Sequence, residues 1–194
     1  MSVDMPAAAA ASANERLSVF VDRIWIGLLV VICFTVPISL ARTFIVGWQP
    51  AYATQFLMLL VLGSGFILRH LIGMRLRALT LIVLLDFNGI VSVVSFGLFG
   101  VSWWWLVMSS LLVAFVFRTR AGMLHAAAAF VLLAIVGLAF VQGWLTMDFD
   151  ANVYGRQLLA WAGMLTGPVL FSVFVFWACD AFLKVEVPAV PHDS

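Results

Sequence analysis

A chain of 194 residues that is 65% hydrophobic and only 10% charged, with a mean hydropathy of +1.16, carries more apolar surface than a water-soluble domain of this size can bury. Its net charge of +1 comes from ten basic residues spread along the whole length, which excludes the gathered basic face that a nucleic-acid partner requires. The composition is that of an all-α polytopic membrane protein, with the lipid bilayer as its first partner.

Residues 1–13, with the run Ala7–Ala11, read as a disordered Ala-rich tail. No basic stretch precedes that run, and the first long apolar segment follows Arg23 and contains Pro37, so the start does not read as a cleaved signal peptide. Residues 14–184 form the membrane domain, a six-helix bundle with spans expected near 24–46, 54–69, 77–97, 102–118, 121–144 and 157–183. A spanning helix needs about 20 apolar residues, and the runs are continuous rather than alternating, which sets them apart from barrel strands. Residues 185–194, with Pro188 and Pro191, form a second tail.

Lysine and arginine positions orient the bundle. Arg16, Arg23, Arg69, Arg75, Arg77, Arg118, Arg120 and Lys184 fall on one side, and Arg42 and Arg156 on the other. Eight against two places both termini in the cytoplasm. Trp48, Trp103–Trp105 and Trp144 mark the outer ends and Trp25 and Trp177 the inner ones, at the depth where amphipathic rings prefer to sit.

The connections are short, with basic turns over 69–77 and 118–120 and only two outer segments of any length, 46–54 and 145–157. No loop houses a soluble catalytic domain, and no HExxH, GxSxG, Walker or glycine-rich phosphate motif occurs. The expectation is a protein that is not an enzyme, without catalytic residues, metal or cofactor.

Within the spans, Asp86 stands out. It lies nine residues past Arg77, roughly 13 Å into its helix, where a lone carboxylate costs several kcal/mol unless it is paired, hydrated or protonated. It is either a functional group or a structural hydrogen-bonding partner between helices. Asn88, Ser92 and Ser95 form a polar stripe about 200° around the helix from it. Polar groups on two faces place this third helix at the centre of the bundle.

At the outer ends of the first two helices, Arg42, Trp48, Gln49, Tyr52 and Gln55 combine a cation, amides and aromatic faces that can grip a small amphipathic or anionic ligand. The alternative is an interfacial belt with a snorkelling arginine. Of Trp103–Trp105, one or two at most face inward, because successive residues point about 100° apart. His70 and His125 are the two histidines a haem between helices would need, although His70 lies in a basic turn. Cys33 and Cys179 have no metal or disulfide spacing and read as buried small hydrophobes. Pro37, and Gly163, Gly167 and Pro168 in the last helix, mark expected kinks.

The order of turn motifs resembles the multi-helix membrane sensor module at the N-terminus of bacterial histidine kinases and diguanylate cyclases. The residues concerned are an arginine ending the first helix, then Gly47-Trp48-Gln49-Pro50 with Tyr52, the basic turn Arg69 to Arg77, Phe96-Gly97-Leu98-Phe99-Gly100, and Arg118-Thr119-Arg120-Ala121-Gly122. The likeness covers about residues 16–184. It implies a non-enzymatic receptor that detects a small ligand or membrane signal and relays it through the sixth helix, as a homodimer, to a cytoplasmic kinase or cyclase output domain. Residues up to Ser194 carry no kinase core, cyclase motif or signalling coiled coil, so that output is expected either in cis or on a separate partner. Two other roles compete: a small transporter or channel-like protein using Asp86, and a membrane anchor or assembly subunit.

Overall fold

The computed structural model describes residues 7–99, 102–147 and 149–184. The second tail, 185–194, and the first six residues of the N-terminal tail lie outside them, as does Gly100 of the third turn. The described residues form α1 (Ala7–Val46), α2 (Pro50–Ile67), α3 (Met74–Phe96), a 3-10 turn (Gly97–Phe99), α4 (Ser102–Val116), α5 (Thr119–Val141), the short α6 (Ala151–Gly155) and α7 (Leu158–Lys184). There is no strand among them.

Five of these helices are long and apolar enough to cross a membrane, whereas α4 contributes only a shorter apolar helix, Trp103–Val116. Six full spans were expected. The fourth falls short because the chain reverses at Phe117–Arg118, where Arg118 takes an extended backbone and opens α5. At the N-terminus, residues 7–13 belong to α1 rather than to a separate tail, in keeping with alanine's helix propensity. On the side expected to be outer, Gly47 and Gly97 end α1 and α3 with positive φ values of 72° and 55°, a conformation only glycine adopts without strain. Pro50 then opens α2 at its first turn, where its missing N–H loses nothing.

α3 packs against α1, α2, α4 and α5, and α1 runs along α7. The third helix is therefore central, as its two polar faces required. The main core joins Trp25, Leu28, Ile32, Leu62, Leu81, Leu85 and Phe171. α2 reaches α1 closely because Gly65 leaves room for the Trp25 ring: a Cβ there would sit 2.4 Å from it. The indole N–H of Trp25 donates to the Leu62 carbonyl at 3.0 Å, so its one polar atom is satisfied inside the bundle. At this same end, Arg77 pairs with Asp22, and Arg23 lies 4.2 Å over Trp177 and donates to that residue's carbonyl. A second, smaller cluster of Val46, Ala51, Tyr52, Phe96, Tyr154 and Ala160 closes the end where α1 and α3 stop.

α5 is peripheral. Only Gly122 and Val136 of it are buried, and Phe130 and Leu124 are largely exposed, as suits a helix whose outer face meets lipid tails. Cys33 is exposed and Cys179 half-buried, so neither is the buried small hydrophobe expected from the sequence. Cys33 faces outward from the bundle, while Cys179 packs against the edge of the main core.

Candidate functional site

Arg42 sits one turn before the end of α1 and is 8% exposed. A guanidinium removed from water needs partners for its donors. Its Nη2 donates to the hydroxyl of Tyr154, and its charge lies over three rings: Phe96 at 4.8 Å, Tyr154 at 5.1 Å and Tyr52 at 6.0 Å from their centroids. The negative faces of aromatic rings attract such a cation when water is excluded. Among the described residues no carboxylate pairs with it; Asp22 pairs with Arg77, and Asp86 with His125.

Tyr154 reaches this place because the 145–157 segment folds back over the bundle. Asp150 caps α6 by accepting from the amides of Asn152 and Val153, and the Trp161 indole donates to the Gly155 carbonyl at 2.9 Å. Together these bonds hold Tyr154 inward, 4% exposed, against Phe96 and Phe149.

Beside the guanidinium lies a cavity of about 50 Å³, room for a small anion or a few water molecules. Arg42, Gln55, Thr35, Ser39 and Ser92 supply its polar wall. Arg42 Nε and Gln55 Oε1 are buried without a partner, and so is the Tyr52 hydroxyl nearby. The opposite wall is α7, through Gly163, Gly167 and Pro168. A Cβ at Gly163 would come within 3.0 Å of Arg42 Nη1, so glycine is what lets this helix approach the cation. Pro168 has no N–H to return to the Met164 carbonyl, which makes this stretch the least tightly bonded part of α7.

The expected site residues divide between places. Arg42, Tyr52 and Gln55 come together. Trp48 does not join them: it is 61% exposed and meets Tyr52 only edge-on, so it belongs to the interfacial belt. Gln49 is buried but turns its amide to the Val46 carbonyl, closing the α1–α2 turn. Asn88 faces α2, with the Thr54 hydroxyl 2.8 Å from its Oδ1, and Ser92 one turn on lines the cavity. Phe96, Tyr154, Thr35 and Ser39 were not foreseen. A usable signal existed, since the chain has only two tyrosines and both approach Arg42.

Asp86 points elsewhere, to a hydrogen-bonded chain across three helices. Its Oδ2 lies 3.0 Å from His125 Nε2 on α5, and His125 Nδ1 lies 3.0 Å from Ser110 Oγ on α4. The Ser110 hydroxyl already donates to the Leu106 carbonyl at 2.8 Å. The imidazole gives the Asp86 carboxyl the hydrogen-bonding partner that such a group needs inside a span. Both ring nitrogens of His125 are thereby engaged, and His70 is exposed in the α2–α3 turn, so the two do not form a haem-ligating pair. The order serine–histidine–carboxylate is that of an activated nucleophile, but the surrounding backbone is mid-helix, and its amide N–H groups are committed to their own helices rather than to an oxyanion.

Trp105 is the inward member of its run, 8% exposed and on the cavity wall, while Trp103 is half exposed. No protein-family model, curated protein or solved structure matches the chain.

Proposed function

We propose that this protein is a membrane-embedded receptor for a small anion, seated in a bacterial inner membrane with both termini in the cytoplasm. The ligand enters the cavity beside Arg42 and acts on α7. One observation carries the reading: a buried guanidinium with an unpartnered Nε shares a small cavity with the glycine- and proline-weakened stretch of the last helix. A ligand that fills the cavity meets that stretch directly, and α7 runs from there towards Lys184 along α1. A helix movement can pass that way to a cytoplasmic kinase or cyclase output, in cis or on a partner, with the receptor acting as a homodimer. The turn motifs shared with bacterial sensor modules support the same reading.

The test uses the purified chain in lipid nanodiscs, with spin labels at the exposed positions Leu183 on α7 and Leu76 on α3. A panel of small anions, with nitrate, phosphate, acetate and formate among them, is titrated while the interlabel distance is followed. A saturable change for one of them that Arg42→Met abolishes supports the receptor. If no anion shifts the distance or the thermal stability, the reading fails.

A transport role rests on a different observation, the Asp86–His125 pair inside a span, two groups of the kind that exchange protons along membrane relays. It predicts proton flux in proteoliposomes that Asp86→Asn removes.

A further inference from the structure

Among the described residues lining the Arg42 cavity, the guanidinium is the single charge, and Phe96, Phe99 and Trp105 make up much of the apolar wall. One negative charge makes this buried site neutral. A dianion would leave a second charge uncompensated beside aromatic rings, whose faces are themselves negative. The charge count therefore selects a monoanion.

The donors select its shape. Phe96 and Tyr154 hold their rings against the guanidinium, at 4.8 Å and 5.1 Å from its carbon. Nη2 is committed to the Tyr154 hydroxyl, and Nη1 faces α7 at Gly163. Nε–H is left buried without an acceptor. That N–H lies in the guanidinium plane, so an acceptor meets it edge-on rather than against a face. Gln55 Oε1, in the same wall, is also buried without a partner. It is bonded to nothing, so a half-turn of the amide costs it no bond and brings an NH2 group into its place. An anion with at least two oxygens is then met by donors from both α1 and α2.

Size narrows the class further. The cavity of about 50 Å³ holds roughly three or four water-sized atoms. Formate, nitrate and acetate are of that size. A halide is a single atom and leaves the site part empty, and sulfate or phosphate exceeds it.

We infer that the Arg42 cavity selects a small planar monoanion of the carboxylate or nitrate type, held edge-on at Arg42 Nε. This rests on the receptor reading and adds to it the charge and the shape of the ligand.

The full chain in phosphatidylcholine nanodiscs is titrated calorimetrically with formate, acetate, nitrate, chloride and sulfate. Formate, acetate and nitrate should saturate, with sulfate and chloride weaker by at least about tenfold. Gly167→Ala measures size. A Cβ there would sit 3.6 Å from the Trp105 ring and 3.8 Å from Thr35, ordinary contact distances, so α7 accepts it while the methyl group enters the cavity wall. It should weaken acetate about tenfold more than formate. Sulfate binding as tightly as formate overturns the inference and leaves the receptor standing, and so does equal competition by chloride. Acetate and formate left unaltered by Gly167→Ala, or weakened alike, also overturn it, because the ligand is then not fitted to this wall. Binding by none of the five anions overturns both readings together.

Discussion

Asp86 and His125, on helices that pack only at their edges, meet at 3.0 Å inside the bundle. The contact ties peripheral α5 to central α3. It also makes the two residues unequal when one is removed.

His125→Leu leaves a carboxylate in a span without its partner, at a cost of about 2.5–3.5 kcal/mol. Asp86→Leu leaves a neutral imidazole that keeps its bond to Ser110, at a cost of about 1 kcal/mol. The double variant, with neither group, should recover most of the His125→Leu loss. Unfolding in mixed micelles measures all three, and equal losses in the two single variants would contradict this inequality.

Tyr154→Phe removes the acceptor of the Arg42 bond while keeping the ring against the guanidinium. Anion affinity should change by less than about tenfold, because the cation stays in place. Arg42→Lys should lose far more, since an ammonium cannot both reach Tyr154 and present a flat face to three rings. Calorimetric titration of the two variants separates the effects.

Close helix approach depends on glycines, Gly65 and Gly122 among them. Gly65→Ala puts a Cβ 2.4 Å from the Trp25 ring, and Gly122→Ala puts one 2.4 Å from the Ala114 methyl group. Each should destabilise the bundle by about 1–3 kcal/mol. Gly63→Ala, with open space around it, should be neutral or slightly stabilising. Thermal unfolding of the three variants side by side gives the ordering.

Orientation is read by thiol labelling from either side of sealed vesicles, on a background with Cys33 and Cys179 replaced by alanine. Cysteines at Leu71, in the basic turn between α2 and α3, should react only from the cytoplasmic side, and cysteines at Trp144 only from the opposite side. The reverse pattern would invert the assignment of the termini.

Asp86 shows how far residue type and depth can be read. Its position within an apolar run marked it as needing a partner, yet the partner sits 39 residues away and was weighed only as a haem ligand. Trp48 shows the opposite difficulty. An aromatic at a helix end satisfies its interfacial preference equally well in a pocket or in the belt, so its neighbours in sequence could not tell which. Gln49 lay in the right turn, but its amide was taken by the local backbone.

What the sequence determined by itself was the helical membrane class, the approximate ends of the helices and the central place of α3. Transfer free energies add up along a contiguous segment, and glycine, proline and arginine act locally to end it. Tertiary structure alone decided that Tyr154, 112 residues from Arg42, covers its guanidinium, that Ser110 joins Asp86 through His125, and that the fourth helix is short. Those outcomes depend on how each helix is rotated and which neighbour it meets. Packing between helices sets that rotation, and a one-dimensional pattern of apolar residues, nearly uniform around each span, leaves it open.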